Sequence, residues 1–175
     1  LPTDPIQHID GAGEIALCIL SAINVGKIDK RDELEPLCDL SVRALDEIID
    51  HQGYPVKAAE ISTKERRSLG IGYIGLAHYL AKKGYRYDQK MAWRPVDKLT
   101  EASQYYLLKA SVEVAKEKGK CEAFEKTKYS DGVLPIDTYK KDVDELVNKR
   151  TLTYDWELLR KEIKEHGLRH STLSA

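Results

Sequence analysis

The order of elements along the chain predicts an α/β fold rich in helix. Three observations carry it. Residues 14–23 form an apolar run without polar alternation, which reads as a strand covered on both faces. Several later segments repeat apolar residues at three- and four-residue steps, which reads as helices. An extended stretch, 168–175, closes the chain. At 175 residues the length fits a single domain, 1–175, and a chain of that size buries roughly two thirds of its unfolded surface, enough for a core without staples.

Residues 1–10, with two prolines and several polar residues, read as a loop, and Gly11 and Gly13 lead into the first strand. Asp32 with Glu35 makes a capping box for a helix whose one face carries Leu34, Leu37, Cys38, Ser41, Leu45, Ile48 and Ile49. Gly53 and Pro55 stop it. Residues 66–84 read as a short strand that turns into a helix through Leu76, Ala77, Tyr79 and Leu80. Beyond Pro95, residues 100–118 combine good helix formers with lysines at the C-terminal end, and Gly119 terminates them. Two further helices are expected near 137–149 and 155–166, the second ended by Gly167.

Composition excludes several classes. With 42% hydrophobic and 33% charged residues and a net charge of -1, nothing attracts the chain in bulk to nucleic acid or an anionic membrane. No apolar run approaches the roughly 18 residues of a transmembrane helix, and the N-terminus lacks the basic flank and apolar core of a signal peptide. The cytoplasm is the expected location. Cys18, Cys38 and Cys121 are odd in number, and none has the spacing of a zinc knuckle. The start at Leu1 and the end on Ser171, Thr172, Leu173, Ser174, Ala175 suggest a segment of a longer polypeptide.

Gly70, Ile71, Gly72, Tyr73, Ile74, Gly75 match G-x-G-x-x-G, the spacing of a dinucleotide-binding turn. The residues before them, Lys64, Glu65, Arg66, Arg67, Ser68 and Leu69, do not form a buried first strand, so close backbone packing at a strand-to-helix turn is the better account. His166 and His170 have helical metal-ligand spacing, but Gly167 lies between them and surface or capping roles fit better; no metal is expected. His78 reads as a satisfied or half-exposed histidine. Tyr105 and Tyr106 read as ordinary packing, because helical neighbours point about 100° apart. Cys38 reads as a core thiol, Cys121 has no defined role, and from its surroundings alone Cys18 is also a core thiol.

The blocks around Cys18 add a resemblance. Gly13, Glu14, Ile15, Ala16, Leu17, Cys18, then Leu20, Ser21, Ala22, Asn24 and Gly26, resemble the large subunit of aerobic class I ribonucleotide reductases. The likeness continues through Arg67, Leu69, Gly70, Ile71 and Gly72, and through Tyr105, Tyr106, Leu107, Leu108, Lys109, Ala110 and Ser111. It returns in Leu134, Pro135, Ile136, Asp137, Thr138 and Tyr139, in Tyr154, Asp155 and Trp156, and in His166, Gly167, Leu168 and Arg169. It spans nearly the whole chain, in the form found in enterobacteria and tailed phages.

The resemblance implies a catalytic domain built as a ten-stranded α/β barrel, of which this chain is the opening portion of the second half. It implies that Cys18 is one member of a redox-active cysteine pair that reduces ribonucleoside diphosphates, its partner lying upstream of this chain. Ala16 and Leu20 are then expected to line the substrate pocket. The implied partners are the rest of the large subunit, a second large subunit, a small radical-generating subunit with its own metal centre, and a thioredoxin- or glutaredoxin-type reductant. No cofactor is expected on this segment, and nucleotide effectors bind elsewhere. Two other readings remain: a non-catalytic helical scaffold module from a split or degenerate gene, and a dinucleotide-binding domain through Gly70 to Gly75.

Overall fold

The computed structural model describes residues 5–6, 13–142, 144 and 151–174. Within them, β1 (Pro5–Ile6) and β2 (Glu14–Ile15) make a short antiparallel pair, so a strand stands where a loop was expected. β3 (Ile19–Asn24) and β4 (Leu69–Ile74) pair in parallel, from Ile19 opposite Leu69 to Asn24 opposite Ile74. The closing segment joins the other edge of β4. Leu69 N donates to Thr172 O at 2.8 Å and Ile71 N to Leu173 O at 3.1 Å, and Ser174 bridges Ile71 in parallel. A third parallel strand therefore begins where the extended stretch predicts one.

The single strand expected over 14–23 is two. Ala16, Leu17 and Cys18 carry no strand pairing, because a chain that pairs antiparallel with β1 and then parallel with β4 must change partner between them. Of the two faces expected to be covered, one is covered within the described residues. Odd-numbered residues such as Ile23, Leu69 and Ile71 are buried in the core with the helices, whereas on the other face Leu20 is 64% and Ile74 54% exposed. Gly70 and Gly72 stand opposite Leu20 and Ala22 on that open face and add no side chain to it.

Among the described residues stand five helices, α1 (Leu34–His51), α2 (Lys57–Arg66), α3 (Leu76–Lys82), α4 (Lys90–Lys118) and α5 (Trp156–His166), of which α2 was not expected from the sequence. The capping box before α1 does not form. Asp32 lies in a 3-10 turn, Glu33 is the N-cap without a side-chain bond, and Glu35 is drawn instead to Lys109 Nζ of α4 at 2.7 Å. The buried stripe of α1 is Leu34, Cys38, Val42, Leu45, Asp46 and Ile49; Leu37 and Ile48 are exposed. α4 begins ten residues before the predicted start and carries Pro95 inside. The missing proline N–H falls in its solvent-facing early turns, where Met91 is exposed, while Ala92, Leu99 and Ala102 hold the helix on the core.

β4 runs into α3 as expected, through Gly75 at φ +76. A Cβ there would stand 2.5 Å from Asn24 Oδ1, and one on Gly26 would stand 3.0 Å from Gly75 O, so the two backbones meet without room for side chains. Gly70 and Gly72 lie inside the strand and only Gly75 lies in the turn, which is packing rather than a loop around a phosphate.

At the far end Asp155 caps α5, accepting from Leu158 N at 2.9 Å, and Gly167 at φ +76 ends it. The loop before α5 closes on buried Glu101 of α4, which accepts from Thr153 N at 2.5 Å and from Trp156 Nε1 at 3.4 Å. Tyr105 stacks on Tyr154 with centroids 4.6 Å apart and meets Trp156 edge-on at 5.3 Å, which is the packing role read for it. Pro135–Asp137 form a 3-10 turn; of the helix expected near 137–149, Asp144 is helical, and residues 143 and 145–150 lie outside the described residues.

Candidate functional site

Cys18 sits at the N-terminal end of β3, just before the ladder begins, and not within a buried strand. It is half-buried, while Cys38 and Cys121 are buried, and all three are free thiols. Burial pushes the Cys18 thiol above its ordinary value. The same cause acts harder on the core thiols: Cys38 is pushed up to about 12 and Cys121 to about 11. Cys38 is therefore the inert core thiol its helix face predicts, and Cys18 is the reachable one of the three. Ala16 is half-buried beside it, and Leu20, two residues on, projects from the open face of the sheet. Ala16 and Cys18 thus lie in the unpaired stretch that leads into β3, and Leu20 within β3 itself.

The backbone around Cys18 is held from both sides by one corner of the chain, residues 66–68. Before the thiol, buried Glu14 Oε2 accepts from Arg66 Nη2 at 2.7 Å. After it, Ile19 N donates to Ser68 O at 3.1 Å. The corner also receives the third strand, through Ser171 N to Arg66 O at 2.9 Å and the Ser68 and Ser171 hydroxyls 3.1 Å apart.

Arg67 pins the corner from within. It takes the left-handed conformation at φ 48, closing α2, and its guanidinium is buried against two carboxylates of α1. Nε donates to Asp46 Oδ1 at 2.7 Å, while Nη1 and Nη2 fork onto Asp50 at 2.8 Å each. Asp46, fully buried, also accepts from Lys118 Nζ at 3.0 Å, Arg169 Nε at 3.3 Å and His170 Nε2 at 3.1 Å. Burial opposes its charge, yet the bonds from His170, Lys118 and Arg67 outweigh that and hold its carboxyl far below the usual carboxylate range.

His170 Nδ1 accepts from Ser111 Oγ at 2.9 Å, so its Nε2 carries the proton given to Asp46. Burial holds the ring neutral, pushing its value down against the pull of Asp46. His170 is thus a core residue, contrary to the surface role read for it, whereas His166 remains half-exposed at the end of α5. The network was missed in the sequence because charged residues in a helix read as a solvated face. One signal was present: Asp46 stands four residues after Val42 and three before Ile49, inside the apolar stripe.

Among the described residues no group of three or more His, Cys, Asp or Glu could hold a metal ion, and no helix among them is long and apolar enough to cross a membrane.

The family model described as "Ribonucleotide reductase, barrel domain" matches residues 3–175. The chain belongs to this family. It is 60% identical to the ribonucleoside-diphosphate reductase subunit alpha of Haemophilus influenzae over 176 residues, covering 100% of this chain and 23% of that protein. Its identity to the ribonucleoside-diphosphate reductase 1 subunit alpha of Escherichia coli is 57% over 127 residues, 73% of this chain and 17% of the relative. With the subunit alpha of Enterobacteria phage T4 it shares 41% over 177 residues, again 100% of this chain and 23% of the relative. The chain thus spans about a quarter of the length of the relatives that match it throughout. These matches place the parallel sheet in a ribonucleotide reductase barrel domain and do not favour the scaffold module or the dinucleotide-binding unit.

Proposed function

We propose that the chain is part of the catalytic subunit of a ribonucleoside-diphosphate reductase, and that Cys18 is one thiol of the pair that reduces the substrate. The observation that carries this reading is the position of Cys18: a half-buried, free thiol immediately before a strand of the parallel sheet, in a barrel-domain family. The reaction balances through two thiols. Their sulfurs join as a disulfide, two electrons and two protons pass to the nucleotide, and the 2′-hydroxyl leaves as water with hydrogen in its place. An external dithiol then exchanges with the disulfide and restores both thiols.

Two features suit Cys18 to this work. Burial favours its protonated form, so the sulfur keeps its proton together with its electron until the reaction calls for both. Among the described residues β3 pairs only with β4, which leaves its other edge for a strand bearing the partner thiol, with the two alpha carbons within about 7 Å. Ala16 and Leu20 are proposed to line the substrate pocket. Gly70, opposite Leu20, leaves that face open for a ligand, and apolar neighbours exclude water from the reacting carbon.

In this reading the three parallel strands belong to the second half of a ten-stranded α/β barrel. The rest of the large subunit and a second copy of it complete the enzyme. A small subunit supplies a radical from its own metal centre, and a thioredoxin- or glutaredoxin-type protein supplies electrons. The segment itself holds no cofactor, the effectors bind outside it, and the enzyme works in the cytoplasm.

The test is Cys18→Ser in the intact large subunit, assayed with its small subunit and dithiothreitol as reductant. Loss of multiple turnover, with the fold kept by circular dichroism, is expected. Turnover at the unsubstituted rate would overturn the reading.

A further inference from the structure

We infer that Glu14 and Arg66 are positioning residues for Cys18: their ion pair fixes where the thiol is presented. This rests on the reading of Cys18 as a redox thiol for its catalytic consequence, but its geometry stands independently. Ala16, Leu17 and Cys18 have no strand partner of their own, so the ladder does not set the height of the sulfur. It is set by what holds the chain on either side, and beyond the pairing of Glu14 and Ile15 with β1 a hold from each side ends on the same three residues. Four residues before the thiol, Glu14 is bound to Arg66 at 2.7 Å; one residue after it, Ile19 N is bound to Ser68 O at 3.1 Å.

The corner that receives both is itself fixed, because Arg67 between them is bound to Asp46 and Asp50 of α1. Cys18 therefore hangs between two anchors on one rigid block. The second anchor belongs to the ladder with β4, whereas the first joins the corner to the short β1–β2 pair. The first depends on a carboxylate whose side chain is 8% exposed and a guanidinium 25% exposed, enough burial for the pair to stay engaged where a surface pair would come and go. Without it the segment 14–18 keeps its pairing with β1 but loses its tie to the corner, and the sulfur loses the fixed place relative to the sheet that disulfide geometry requires.

The experiment measures alkylation of individual cysteines by N-ethylmaleimide in the intact large subunit, followed by mass spectrometry, for Glu14→Gln, Glu14→Ala, Arg66→Ala and the double Ala variant. Cys18 is expected to react at least ten-fold faster in both Ala variants. The double variant should react no faster than either single one, since both remove the same anchor, and Glu14→Gln, which can still accept from Arg66, should lie between. Cys38 and Cys121 should stay unreactive throughout, which marks the effect as local. Turnover should fall at least ten-fold in kcat with KM within two-fold, because the substrate meets a misplaced thiol in an otherwise intact pocket.

A Cys18 alkylation rate within two-fold of the unsubstituted protein in both Ala variants would overturn the inference. So would Cys38 reactivity rising in step with Cys18, which would mean general loosening. Failure of the redox reading shows elsewhere, as dithiothreitol-driven turnover retained by Cys18→Ser, and leaves the alkylation result standing by itself.

Discussion

Replacing Asp46 by alanine should loosen the strand ends of the sheet far more than replacing Asp39, seven residues earlier on the same helix. Asp46 is fully buried and receives four cationic or proton-donating side chains, of which Arg67 is 5% exposed. Breaking a buried pair by removing one partner costs about 3–5 kcal/mol, because the surviving charge keeps its desolvation penalty. Arg67 retains its fork onto Asp50, so the lower end, ~3 kcal/mol, is the expected loss. Asp39 pairs with Arg43 at the surface, where such a pair is worth about 0–1 kcal/mol. The reporters are the amides of Leu69 and Ile71, which bond to the third strand beside the corner that Arg67 holds. At about 1.4 kcal/mol per tenfold, hydrogen exchange at those amides in the intact subunit should quicken about a hundred-fold in Asp46→Ala and less than about five-fold in Asp39→Ala. A change below three-fold in Asp46→Ala, or equal changes in the two variants, would refute the assignment of the network as the clamp of the sheet edge.

Two further outcomes follow from the same geometry. Burial lowers the value of His170 below the 6.5 of a free histidine, with Asp46 pulling the other way and Arg67 and Arg169 adding to the fall. The unfolded chain therefore binds the proton first as pH drops. The contribution of neutral His170 is whole above about 6.5 and is lost as pH falls through the lower folded value. Protection of the Leu69 and Ile71 amides, corrected for intrinsic exchange, should decline between pH 7 and 5, and His170→Gln should remove that pH dependence. Asp46 acts in a lower window. Its depressed value keeps it charged down through the ordinary carboxylate range, so its contribution fails only below about 3.8. Gly75→Ala should cost about 1–2 kcal/mol from the left-handed backbone alone, and more from the approach to Asn24. Adding Asn24→Ala should recover only the second part, read as the difference in melting temperature between the single and double variants.

The elements were legible where one physical signal dominated. The stripe of α1, the turn from β4 into α3 and the stop at Gly167 each follow from periodicity or from a glycine that the backbone requires. The errors arise where two signals competed. Pro95 was read as a boundary, yet burial of Ala92, Leu99 and Ala102 outweighs one missing amide on the solvent side. Asp32 and Glu35 had the capping spacing, but Lys109, 74 residues away in sequence, offers Glu35 an ion pair. The run around Cys18 looked like one strand because composition does not reveal a change of pairing partner.

The proposed site can be named from the chain as a residue, but what supports that residue cannot. Cys18, Ala16 and Leu20 could be named from the chain, since the blocks around them are distinctive. Glu14, Arg66, Arg67, Asp46 and His170 could not be joined from sequence, for their contacts span 21 to 124 positions. The charges near the thiol fall into two groups with different work. Arg67, Asp46, Asp50 and His170 lock α1, the end of α2 and the third strand into one block, while Glu14 and Arg66 attach the cysteine segment to it. In the role proposed for Cys18, a sulfur that alternates between thiol and disulfide would need a firm mount and some freedom to move toward its partner. Placing the rigid contacts one residue beyond Cys18, and leaving residues 16–18 outside the ladder, supplies both.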